Sequence, residues 1–91
     1  MNAVCRTVLI TNKRGLHARA SAKFVTMACG IGVLVEVEKD GAKVVGTSIM
    51  GLMMLGAGVG DEITIRAQGD GAEAAVSSLA ELVEAKFHEA E

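Results

Sequence analysis

The hydrophobic residues of this chain switch between two periods, and the order of the switches limits the fold more than any single motif does. Val4, Arg6, Val8 and Ile10 alternate with Cys5, Thr7 and Leu9, which is the period of a strand, with Val8 and Ile10 as core positions. Ser21, Phe24, Val25 and Ala28 then recur at offsets 0, 3, 4 and 7 and give a helix from about Ala18 to Ala28 a buried face. Cys29-Gly30-Ile31-Gly32 stops it, with Gly30 as the expected left-handed cap. Val33, Val35 and Val37 alternate with Leu34, Glu36 and Glu38 in a second strand. Asp40-Gly41 makes a hairpin turn into a short third strand, Lys43 to Val45. Thr47 and Ser48 can cap a short helix from Ile49 to Leu55, which Gly56 ends. Ile63, Ile65 and Ala67 alternate with Glu62, Thr64 and Arg66 in a fourth strand. Ala72, Val76, Leu79, Leu82, Val83 and Phe87 mark the stripe of a long final helix, with His88 in its last turn.

The order βαββαβα fits an α+β fold, a four-stranded antiparallel sheet with three helices on one face. The 91 residues are expected to form a single domain. Half the residues are apolar and about a fifth charged, as in a soluble globular chain. The net charge of −2, with no basic run longer than Lys13-Arg14, argues against nucleic-acid binding. Phe24 and Phe87 are the only aromatic residues, too few for a base-stacking platform. Cys5 and Cys29 have neither metal-ligand nor CxxC spacing, so free thiols and no metal are expected. The longest uncharged stretch, Val44 to Gly60, is 17 residues with five glycines and falls short of a membrane span. The N-terminus lacks the pattern of a signal peptide, and a cytoplasmic location is expected.

The chemistry concentrates in Asn12 to Met27, NKRGLHARASAKFVTM. A polar turn through Gly15 brings His17 to the N-cap of the first helix, with Ala18 and Arg19 in its first turn. The first N–H groups of a helix have no intrahelical partner and point, with the positive end of the macrodipole, at whatever precedes them. The Ala18 and Arg19 amides therefore face an anion site with an imidazole beside it. The Arg19 guanidinium adds a fork suited to phosphate oxygens. Lys13 and Arg14 can steer an acidic partner surface. These features suggest a histidine that carries a phosphoryl group. A histidine at a helix start is more often a polar cap or surface residue, and His17 alone does not separate the two.

The segment N-x-x-G-L-H-A-R resembles the active-site signature of HPr, the phosphocarrier of the bacterial phosphotransferase system. Gly46 to Gly60, GTSIMGLMMLGAGVG, resembles that family's serine-containing short helix and the turn after it. The resemblance spans essentially the whole chain. It implies the open-faced β-sandwich of that family and a phosphoryl group taken onto His17 from an enzyme I-type protein and passed to an enzyme IIA-type acceptor. By the same resemblance the reacting atom is Nδ1, Arg19 stabilises the phosphate, and Ser48 matches a serine that an HPr kinase/phosphorylase modifies in some branches. Ser48 serves equally well as a plain helix cap. Met50, Met53 and Met54, in place of more polar residues, resemble the nitrogen-related (NPr-like) branch rather than the sugar-uptake one. One departure is Ala20, where the family usually has Pro; it puts the rigidity of the first turn in question, not the helix.

A seven-residue helix on a sheet cannot bury every side. Ile49, Met50 and Met53 are therefore expected to form a docking patch. GAGVGDE lacks the Lys-Ser/Thr ending of a nucleotide-binding loop, so no cofactor is expected and the chain is not itself an ATP-using enzyme. It is expected to act as a monomeric carrier. The alternative is a non-covalent small-molecule regulatory module of βαββαβ type, in which His17 has no special role.

Overall fold

In the computed structural model, residues 3–90 are described. β1 (Ala3–Leu9), β2 (Val35–Lys39), β3 (Ala42–Val45) and β4 (Glu62–Gln68) form one sheet in the order β1-β4-β2-β3. Every neighbouring pair is antiparallel. Register follows the alternation in the sequence. Val8 lies opposite Ile63 and Val37 opposite Ile65, so their side chains share the covered face. Thr7 and Thr64 pair on the open face, their hydroxyls 2.9 Å apart. Arg66 reaches Glu38 on that same face, at 3.5 Å.

Three helices cover the other face: α1 (Ala18–Ile31), α2 (Ile49–Met54) and α3 (Ala72–Glu84). α3 lies on β1 and β4, and α1 packs against both α2 and α3. Phe24, Leu52, Leu79 and Val83 are completely enclosed with Ile10, Val35, Val37 and Ile65. Each large apolar side chain removed from water in this way contributes about 1.5–3 kcal/mol.

The elements differ from the sequence expectation mainly at their ends. α1 does not stop at Ala28, and Gly30 is not its cap. The helix runs through Gly30 to Ile31 and closes on Gly32, at φ 80°. Both glycines are exposed, so burial does not choose between them; Gly32 is the one in the left-handed conformation that ends the helix. The extra turn delays β2 to Val35 and leaves Leu34 exposed. α3 is shorter than its stripe suggested. It ends at Glu84, and Lys86, Phe87 and His88 form a single left-handed turn with φ of 57°, 55° and 58°. Phe87 is still enclosed in the core, so it ends the apolar stripe without belonging to the helix. His88 is therefore not a last-turn residue of α3.

The segment between β1 and α1 is clamped to the loop before β4. The Ile10 N–H donates to Asp61 O and the Gly60 N–H to Ile10 O, both at 2.8 Å. The Leu16 N–H donates to Ala57 O at 2.9 Å. Asp61 also turns its own loop, accepting from the Gly58 N–H at 2.9 Å. Gly15, at φ 63°, sits directly on that loop: a Cβ there would lie 2.4 Å from Ala57 O and 2.7 Å from Gly58 Cα. Position 15 thus excludes a side chain both by its backbone conformation and by contact. Gly15→Ala should lower stability by about 2 kcal/mol or more, read as a fall in the thermal midpoint. An unchanged midpoint would mean that the loop is not locked against Ala57.

Candidate functional site

The clamp fixes where α1 begins, and α1 begins at His17. His17 is the N-cap, with extended backbone at φ −74° and ψ 179°. Its carbonyl accepts the first helical bond, from the Ser21 N–H at 2.9 Å. The Ser21 hydroxyl reaches back to Leu16 O at 3.2 Å and ties the entry to the first turn. Ala20 is buried at the third helical position, where an N–H needs no intrahelical partner. The helix therefore starts in the expected place with alanine there.

The cap bond is made by the imidazole itself. The Arg19 N–H donates to His17 Nδ1 at 3.2 Å. A nitrogen that accepts carries no proton, so the ring proton is on Nε2. Nε2 in turn faces Glu89 Oε2 at 2.5 Å, and both side chains are only 14% exposed. Glu89 Oε1 accepts from Asn12 Nδ2 at 3.2 Å, and the same amide donates to Gly15 O at 2.9 Å. Both neighbours of that amide are acceptors, which fixes its orientation, nitrogen toward them. Burial works against the Glu89 charge. The hydrogen bonds from His17 and Asn12, with the nearby Lys23 charge, outweigh it and hold the carboxyl below its ordinary value.

Around this chain of bonds lies a cleft of about 390 Å³, lined by Lys13, Arg14, His17, Arg19, Lys23, His88 and Glu89. Lys23 Nζ donates to Phe87 O at 2.7 Å and ties α1 to the left-handed turn. Among the described residues four permanent cations face one carboxylate, so the cleft favours an anion of more than one charge. Of the two amides expected to hold that anion, the Arg19 N–H is engaged by the histidine's own Nδ1. A group bonded to Nδ1 would take over that donor.

Ser48 lies elsewhere, at the N-cap of α2, where its Oγ accepts from the Gly51 N–H at 2.9 Å. That bond is the ordinary work of a cap. α2 buries Leu52 and presents Ile49, Met50 and Met53 to solvent, with Met50 68% exposed. Met54 is more exposed still, at 80%, and Val59 adds to the apolar surface. His88 is exposed on the left-handed turn and lines the His17 cleft. Cys5 and Cys29 are both exposed free thiols. Among the described residues no group of side chains could hold a metal ion, and no helix is long and apolar enough to cross a membrane.

Sequence reasoning missed Glu89, Lys23 and the bridging part played by Asn12. Asn12 stood inside the signature, but its partner is 77 positions away. Glu89 follows three left-handed residues that no local pattern announced.

Residues 4–85 match the family model described as the PTS HPr component phosphorylation site. The chain is 41% identical over 86 residues to the phosphocarrier protein HPr of Cupriavidus necator, covering 94% of this chain and 97% of that one. It is 39% identical over 90 residues to the phosphocarrier protein NPr of Shewanella violacea, covering 99% of each. Its fold superposes on the crystal structure of HPr-C-His from Thermoanaerobacter tengcongensis with a TM-score of 0.89, at 44% identity and over the whole of both chains.

Proposed function

Because the chain belongs to the HPr family of phosphotransferase-system phosphocarriers, carried on a histidine and without catalytic turnover of its own, we propose that His17 is the residue that takes the phosphoryl group and that Nδ1 is the atom. The family replaces the alternative of a small-molecule regulatory module. The observation that carries the reading is the bond from the Arg19 N–H to Nδ1. It leaves an unprotonated ring nitrogen pointing at the N-terminus of a 14-residue helix. That is where a phosphoryl group meets both the helix dipole and the Arg19 guanidinium.

The family's partners are enzyme I-type donors and enzyme IIA-type acceptors, and its setting is the cytoplasm. We read residues 1–91 as one such carrier domain. The cations around the cleft suit an acidic rim on either partner. The exposed face of α2 supplies apolar area for docking, with Ile49, Met50 and Met53 as its anchors. Sequence identity stands level between HPr and NPr relatives. What supports the nitrogen-related branch is the methionine-rich α2, and the enzyme IIA that discharges the carrier separates it from sugar uptake. Ser48 as a kinase target is supported only by its place at a helix N-terminus, where a phosphate is electrostatically tolerated.

Incubation with phosphoenolpyruvate and enzyme I should add one acid-labile, base-stable phosphate to the wild type and none to His17→Ala, with the fold of the variant intact. Uptake retained in that variant would move the site to His88, the only other histidine. Met50→Glu should weaken docking to enzyme I and leave stability within about 0.5 kcal/mol, as for an exposed side chain. A large loss of thermal stability instead would place Met50 in the core and end the docking assignment.

A further inference from the structure

We propose that Glu89 is a positioning residue for phosphoryl transfer: its carboxylate keeps the proton of His17 on Nε2, so that Nδ1 always presents a lone pair. The inference rests on the reading of His17 as the phosphorylated residue.

Two contacts at opposite sides of the ring select the same tautomer. An amide N–H at Nδ1 demands an acceptor there, and a carboxylate at Nε2 demands a donor. A free imidazole distributes its proton over both nitrogens; this one has a single arrangement that satisfies both neighbours. Glu89 is itself held, since Asn12 Nδ2 fixes its second oxygen. Among the described residues it is the only carboxylate lining the cleft.

The strap that delivers it is not a relaxed tail. Lys86, Phe87 and His88 all adopt the left-handed conformation that costs a residue with a Cβ about 1–2 kcal/mol. Enclosure of Phe87 and the Lys23 bond to its carbonyl hold the turn against that cost. Strain of this kind persists where the surroundings over-determine it, and here it ends on the histidine.

The transfer step balances without a proton leaving or entering. The Nδ1 lone pair attacks phosphorus on the donor's phosphohistidine, whose ring is protonated. The new N–P bond forms as the old one breaks, and that electron pair returns to the donor ring, which leaves neutral. The positive charge passes to the His17 ring, which keeps its Nε2–H covalently bound and hydrogen-bonded to the Glu89 carboxylate. A fixed anion at that position stabilises the cationic ring in both directions, as a carboxylate does for an imidazolium elsewhere.

Glu89→Gln tests this with little change in shape. Asn12 Nδ2, itself held by Gly15 O, keeps the Gln oxygen on its own side, so the Gln NH2 faces His17 Nε2 where the second carboxylate oxygen had accepted. The 15N shifts of the two His17 ring nitrogens at neutral pH report the tautomer directly. The wild type should show the Nε2–H form. Glu89→Gln should move both nitrogens toward averaged values and slow phosphoryl uptake from phosphorylated enzyme I by about tenfold or more, and Glu89→Asp should restore part of both. Unchanged ring shifts in Glu89→Gln, or altered shifts with an unaltered transfer rate, would overturn the proposal. Its failure is distinct from failure of the His17 assignment: the ring shifts are measured without phosphate, and only uptake retained in His17→Ala would move the site.

Discussion

The hydrogen bond from the Leu16 N–H to Ala57 O, with Gly15 pressed against the same loop, decides where α1 can start. The rest of the site follows from that starting point. With Leu16 held, His17 falls at the N-cap, its carbonyl opens the helical ladder and its ring lies over the first turn. A start one residue later would rotate the imidazole by about 100° around the helix axis, away from the Arg19 amide. The packing that secures the loop is remote from the chemistry. It uses β1, the turn before β4 and the Asp61 carboxylate, none of which touches the histidine.

The electrostatics suit a group that must arrive and leave. Arg19, Lys23, Lys13 and Arg14 surround the cleft, and all but the half-buried Lys23 sit on exposed side chains. Interactions of that kind are individually weak and screened by salt. They raise the local concentration of an anion without burying it. The directional part comes from the helix amides, which cost nothing to reorganise because the fold has already aimed them. Glu89 introduces the opposite charge on the far side of the ring. The imidazole thus lies between an anion-seeking helix end and a carboxylate, polarised along the axis on which phosphorus would be exchanged.

Much of this was legible in the chain. Period-two runs gave the strands, and offsets of three and four gave the helices. Asp40-Gly41 and the Ser48 cap worked through short-range backbone chemistry that a sequence carries openly. The position of His17 at a helix start could be read for the same reason, since a cap depends on its immediate neighbours. Helix ends were harder. Gly30 and Gly32 offered two caps within two residues, and only the packed structure shows which one turned left-handed. The Lys86–His88 turn was illegible in principle. Its conformation is unfavourable for each residue locally and is held by Phe87 in a core built from residues throughout the chain. The Glu89 contact with His17, 72 positions apart, is a consequence of that turn and left no local trace.

The central claim is that the fold, through the cap bond, reserves Nδ1 of His17 for phosphorus. Phosphorylating 15N-histidine-labelled protein with enzyme I and phosphoenolpyruvate, then resolving the 31P–15N coupling, identifies the bonded nitrogen without relying on any substitution. The account predicts phosphorus on Nδ1 of His17. Phosphorus on Nε2 of that ring, or on His88, would contradict the account.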